Sequence, residues 1–362
     1  MDYGARRAAL AEAFSVQGAP ALLTDPVSLR YLTGVRLEPH ERFVGLVLRP
    51  NREAVWVVPA LEAEAVRESG LAAIVYRDGE DPVQALAQAF FGPPAALFVE
   101  KSVLSLARAE ALQGRFPGLR FLDATPAVVR LRRKKDAAER ERLRAAAALA
   151  DAVLAEVLPA IRPGMTERAA AALLEARARE RGAEGLGFPP IVLTGRRTAL
   201  PHGVPGEVPI GPGLLLIDFG VVVDGYHADI TRTYWLGAPD GGFFDRYRAV
   251  LSAQAAALRA IRPGAPVAEA DRAARAALRA HGLDGFFIHR LGHGLGLAVH
   301  EAPSVDGGNS DRFEVGDAVT VEPGIYHPEW GGIRIEDDVV VTPEGPEILT
   351  RSPKAVEAVV LP

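Results

Sequence analysis

Four carboxylates and one imidazole stand out between residues 218 and 336. They are Asp218 in LLLIDFG, Asp229 in GYHADITRT, His293 in RLGHGLGL, Glu322 in VTVEPGIY and Glu336 in GGIRIEDD. An oxygen-rich set with one imidazole suits Mn, Co, Fe or Zn, and the chain has no cysteine to offer a thiolate instead. Unpaired carboxylates are very costly to bury. Two divalent cations would balance four negative charges, and a pair of cations sharing a water is hydrolytic chemistry. On spacing alone a second reading stays open, with these acids as surface caps or turn residues.

The surrounding sequence says how such groups would be positioned. Asp218 follows the apolar run 214–217, so it ends a buried strand. Asp229 comes after a turn at Asp224-Gly225, and two antiparallel strands joined there bring both acids to one mouth. Glu322 follows the strand-like run 318–321 and is stopped by Pro323-Gly324; Glu336 follows 332–335. Gly292 and Gly294 let backbone approach closely around His293. Ile-Arg-Pro-Gly occurs at 161–164 and again at 261–264, each time between two helical stretches, the second of which ends at a glycine, Gly182 or Gly282. This echo predicts two similar halves with a site at their junction.

Residues 1–125 alternate helix and strand: helices over 5–14, 61–69 and 83–91, strands over 21–23, 43–48, 54–58, 72–76 and 96–99. This predicts an α/β N-terminal domain over 1–125 and an α+β second domain over 126–362. Arg132-Arg133-Lys134-Lys135 opens a long alanine-rich helix running to about 156, and the basic run reads as its solvated face. With 49% apolar and 24% charged residues and a net charge of −5, nothing points to nucleic acid or a membrane surface. No apolar run is long enough to span a bilayer, so a cytoplasmic protein is expected.

These five segments, in this order, resemble the pita-bread metallopeptidases, the group of methionine aminopeptidase, aminopeptidase P and prolidase. The front of the chain resembles the creatinase/prolidase N-terminal domain through Tyr31-Leu32-Thr33-Gly34, Pro59-Ala60-Leu61-Glu62 and Leu131-Arg132-Arg133-Lys134-Lys135. The resemblance implies a pita-bread catalytic domain with an internal pseudo-two-fold repeat. It also implies a dinuclear Xaa-Pro peptidase, with Xaa-Pro dipeptidase ahead of Xaa-Pro aminopeptidase. A non-catalytic pita-bread binding module is the distant alternative, since such relatives have lost ligands. A homodimer acting on short Xaa-Pro peptides, with manganese as first choice of metal, completes the expectation.

Carried over residue by residue, the resemblance makes Asp229 and Glu336 bridge two metals. Asp218 completes one metal site, and His293 and Glu322 complete the other. His202 and His300 fall at positions near the scissile carbonyl, and Arg334 either supports the site or faces substrate. Glu322 is the expected proton carrier, with Phe188 and Tyr226 as walls for a pyrrolidine ring. His289 is read as structural. One departure is Ser304, in His300-Glu301-Ala302-Pro303-Ser304, where many prolidases have an arginine. An arginine is a natural reader of a dipeptide's carboxylate. Arg36 or Arg42, in the loop 34–42, is expected to replace it.

Overall fold

A computed structural model describes residues 1–362, and the chain divides into two compact units, Met1–Arg132 and Arg133–Pro362. The first unit is built on a six-stranded mixed sheet. Its strands lie in the order Ala72–Tyr76, Ala54–Pro59, Gly45–Leu48, Ala21–Leu23, Ala96–Val99 and Arg120–Asp123. Alternating apolar runs made most of these strands predictable. Two helices and a strand were not: Pro26–Thr33, Leu106–Arg115 and Arg120–Asp123. The first has cues at its head, where Asp25 caps the amides of Val27 and Ser28 and proline takes the first turn.

The expected long helix does not begin in the basic run. One helix, Thr125–Arg133, ends there, and a second, Ala137–Val157, starts afresh behind a capping box formed by Asp136 and Glu139. The first of these is tied into the N-terminal unit. Tyr31 donates to the carbonyl of Leu131 at 2.9 Å, and Arg132 pairs with Asp25 at 3.3 Å. The basic run is likewise not a solvated helix face. Arg133 forms an ion pair with buried Asp317 at 2.7 Å, and Lys135 reaches Glu301 at 3.1 Å with both side chains under 5% exposed. Charges in a break between helices point wherever their partners are, which helical periodicity cannot anticipate.

In the second unit the Ile-Arg-Pro-Gly echo is a structural repeat. Helices Ala137–Val157 and Glu167–Glu180 correspond to Phe243–Ala260 and Val267–Arg279. The amide of Gly164 donates to Ile210 and that of Gly264 to Phe313, both at 2.8 Å. After the second helix of each half, Ala183 donates to Ala178 and Leu283 to Leu278, both at 3.0 Å. Each half carries a sheet with the same core. In one, Gly213–Phe219 pairs antiparallel with Ile230–Leu236; in the other, Ala318–Val321 pairs with Asp337–Thr342. The helices bury Val153, Leu174, Val250 and Leu278 against both sheets in one continuous core.

Removing Lys135 would take its cationic partner from Glu301, whose side chain is only 4% exposed. Lys135→Met is therefore expected to cost roughly 3–5 kcal/mol of stability, measurable by urea unfolding.

Candidate functional site

The repeat brings the acids together in pairs. Asp218, near the end of its strand, lies across from Thr231 of the neighbouring strand, and Asp229 comes just before that strand begins. In the other half Glu322 immediately follows Val321, which pairs with Asp337, and Glu336 immediately precedes Asp337. Each hairpin-like pair thus presents two carboxylates at one end. His293 is added from strand Gly292–Gly294, on the far side of Ala318–Val321. Both flanking glycines are needed: a Cβ at Gly292 would lie 2.1 Å from the carbonyl oxygen of Thr320, and one at Gly294 2.1 Å from that of Ala302.

Ligand-capable atoms of Asp229, His293 and Glu336 lie within 4.8 Å of one another. His293 Nε2 is 3.8 Å from Asp229 and 3.5 Å from Glu322. Its Nδ1 lies 3.0 Å from the carbonyl oxygen of Gly294. A carbonyl can only accept, so Nδ1 carries the proton and the lone pair of Nε2 faces the carboxylates. Burial pulls the His293 pKa down to about 3, which keeps the ring neutral. The carboxylates move the other way. Burial first, and then their mutual repulsion, raise Asp229 and Glu336 well above the usual range, and burial pushes Glu322 up to about 7. Asp218 is also raised by burial, against the pull of Arg334.

Hydrogen bonds from outside the cluster hold these groups in place. Thr231 donates to Glu336 at 2.5 Å and accepts from Arg334 Nε at 3.0 Å. Thr320 accepts from the His293 amide at 3.1 Å and donates to Glu322 at 3.3 Å. Arg334 is buried and ion-paired with Asp218, and its Nη1 donates to the Tyr326 hydroxyl at 2.8 Å. Arg334 therefore supports the acids as well as lining the cavity. Asp338, not anticipated from the sequence, accepts from the Asp229 amide at 2.9 Å. Beneath it, fully buried Arg232 pairs with Asp337 at 2.7 Å and donates to the carbonyl of Glu336.

One oxygen each of Asp218 and Asp229 is buried without any hydrogen-bond partner. Orphaned carboxylate oxygens, a neighbouring imidazole lone pair and a hard donor set together fit a divalent cation.

The cluster forms the floor of a cavity of about 970 Å³, and every residue lining it comes from the second unit. His202 and His300 line it and are exposed, and the His300 ring stands perpendicular to that of His293 at 4.3 Å. Burial lowers the His300 pKa, helped by the nearby charge of Arg290. Phe188 also lines the cavity. Tyr226 does not: its ring is buried in the core, and its hydroxyl donates to Glu139 at 3.0 Å. Strand alternation sends Tyr226 inward toward helix Ala137–Val157, against the expectation of a pocket wall. In the first unit, Arg36 pairs with Glu38 at 2.8 Å, and Arg42 grips both oxygens of Asp78.

His289, expected to be structural, and Arg290, which was not singled out, both line the cavity. His289 Nδ1 meets the Arg290 carbonyl at 2.7 Å and Nε2 meets the Tyr326 hydroxyl at 2.9 Å. Tyr326 therefore accepts from Arg334 and donates to a neutral His289, whose pKa burial lowers to about 4. The Ser304 departure was the available signal for Arg290, because the two touch at 3.2 Å.

The sequence profile of metallopeptidase family M24 matches residues 141–343, and that of the creatinase/prolidase N-terminal domain matches residues 6–134. A putative dipeptidase of Bacillus subtilis, YkvY, is 39% identical over 330 residues, 90% of this chain and 91% of that protein. The solved structure of an Xaa-Pro dipeptidase from Bacillus anthracis is 33% identical, covers 99% of this chain and 100% of that one, and superposes with a TM-score of 0.91. That of an X-Pro aminopeptidase from Thermotoga maritima is 31% identical, covers 95% and 97%, and gives a TM-score of 0.85.

Stripping cations from the site should leave carboxylates whose folded-state pKa values stand above their unfolded ones. Such groups contribute stability below the unfolded pKa and lose it as pH rises through the folded one. For Glu322 that window runs from its ordinary 4.5 to about 7. The difference in Tm between metal-loaded and chelator-treated protein is therefore expected to be larger at pH 7.5 than at pH 5. A difference independent of pH would count against the arrangement.

Proposed function

This chain belongs to metallopeptidase family M24, and on that premise we propose that it is an Xaa-Pro dipeptidase that uses two divalent cations, manganese first among them. The observation that carries the reading is the convergence of Asp229, His293 and Glu336 on the floor of an open cavity. In this reading Asp229 and Glu336 would serve both cations, Asp218 would complete the site of one, and His293 and Glu322 that of the other. All five positions keep their ligand-capable side chains, which a non-catalytic binding module would not require.

Bound cations would supply a water of lowered pKa and polarise the scissile carbonyl. The protein's own groups do the rest. Glu322 takes the proton from the attacking water and delivers it to the prolyl nitrogen. It suits the task because its side chain is 16% exposed, against 7% for Asp229 and 10% for Asp218, so it is the acid with most access to substrate. His202 and His300, at the cavity wall, donate to the oxygen that gains charge as the carbonyl carbon becomes tetrahedral. Phe188 packs against the pyrrolidine ring, and the substrate's free amine lies toward the acidic floor. A prolyl amide has no N–H, so recognition rests on ring shape and chain ends. The reading also includes a homodimer, the commonest symmetric assembly, which light scattering in solution would report.

The direct test is to compare rates on Ala-Pro, Leu-Pro and an Xaa-Pro-Yaa tripeptide with Mn, Co or Zn added. Metal-dependent cleavage of the dipeptides, well above the tripeptide, is expected; a preference for the tripeptide would shift the assignment to an aminopeptidase. Asp229→Asn should fold, yet lose both bound metal and activity. His300→Ala should keep its metal and lose about 10²- to 10³-fold in kcat. Full activity in either variant would refute the corresponding role.

A further inference from the structure

A dipeptide ends in a carboxylate one residue beyond the scissile bond, and a dipeptidase has to recognise it. Lined by acids, histidines and apolar groups, the cavity contains two arginines, Arg290 and Arg334. Arg334 is committed: it is buried, ion-paired with Asp218, and bonded to Thr231 and Tyr326. Arg36 and Arg42 are already paired with carboxylates of their own unit. Arg290 differs from all three. It is exposed, it lines the cavity, and it forms no ion pair; its guanidinium donates through Nη1 to Ser304 Oγ at 3.2 Å.

The strand register places that guanidinium. Ser304 lies directly across from His293 on the adjacent antiparallel strand. Directly opposed residues of such a pair project from the same face, with Cα atoms about 5 Å apart. The Ser304 hydroxyl therefore points to the side on which His293 meets the acids, and the guanidinium resting on it is on that side too. One residue of chain spans ~3.8 Å between Cα atoms, so a carboxylate one residue past the scissile carbonyl falls in the same range. Ser304 is small and uncharged. It leaves room for the Arg290 side chain and steadies it with a neutral hydrogen bond, so the remaining N–H groups stay available to a substrate. Asp306 is held below the usual carboxylate range first by this serine and, more weakly, by the charge of Arg290.

We propose that Arg290, seated on Ser304, binds the C-terminal carboxylate of the dipeptide and so sets the substrate length. The proposal rests on the Xaa-Pro dipeptidase reading above and adds the group that reads the chain end. The positive charge comes from the residue three before His293, from the segment leading into its strand.

The test compares Ala-Pro with its C-terminal amide, Ala-Pro-NH2, in the metal-loaded wild type, Arg290→Ala and Arg290→Lys. A charge-assisted hydrogen bond to a substrate carboxylate is worth about 10- to 100-fold. Arg290→Ala is expected to lower kcat/KM on Ala-Pro by that factor, mainly through KM, and to change cleavage of the amide by less than about threefold. Arg290→Lys should recover part of the loss on the acid. Inhibition by proline should weaken in Arg290→Ala, whereas inhibition by prolinamide should not. Equal losses on acid and amide, or no loss on Ala-Pro, would overturn the assignment while leaving the dipeptidase reading intact. If wild type cleaves neither substrate with any of the metals, the dipeptidase reading fails and this proposal with it.

Discussion

Repulsion among electron-rich atoms shut away from water is the constraint on which the second unit depends. Asp229, Glu322 and Glu336 crowd the lone pair of His293, and Asp218 repels Asp229 and Glu336, in a site where burial disfavours every charge. The chain provides one direct counter-charge, Arg334 on Asp218. Arg232 and Lys354 neutralise Asp337 one layer below. Glu322 and Glu336 receive hydrogen bonds from threonines but no ion pair with a lysine or arginine, and one oxygen each of Asp218 and Asp229 is left without a hydrogen bond. Protons relieve such a cluster at low pH, and divalent cations would relieve it when bound. Thr231, Thr320 and the Arg334–Tyr326–His289 chain keep the acids from relaxing apart.

The repeat explains how one fold assembles so unfavourable a cluster. Two copies of a helix pair packed on a strand pair each deliver two acids at the end of their strands, and the junction of the copies brings the four together. Matching amide bonds at Gly164 and Gly264 show how closely the halves agree. Only the second half adds an imidazole to the acid cluster, and it does so on a strand whose neighbours press so near that glycine is required on both sides. Asymmetry in function is thus superimposed on a symmetric scaffold.

Much of this could be read in the sequence because it is written in local patterns. The apolar runs before Asp218 and Glu322, the turn at Asp224-Gly225 and the two Ile-Arg-Pro-Gly segments all act over a few residues. What escaped was set by contacts between distant segments. Lys135 is 166 residues from Glu301, and nothing near it in the chain reveals that it is buried. Tyr226 was misplaced because one strand position decides between core and cavity. His289 and Arg290 precede a motif histidine without helical or strand periodicity, so only the fold shows that they face the same space. The absence of an arginine at Ser304 marked the place where the Arg290 side chain rests, although Arg290 lies 14 residues back along the chain.

Anomalous diffraction from crystals grown with manganese tests this arrangement of ligands most directly. The arrangement predicts two peaks per chain, both lying between Asp229 and Glu336, with Asp218 beside one and His293 and Glu322 beside the other. A map with no peak among these residues, or with manganese only elsewhere on the protein, would contradict it.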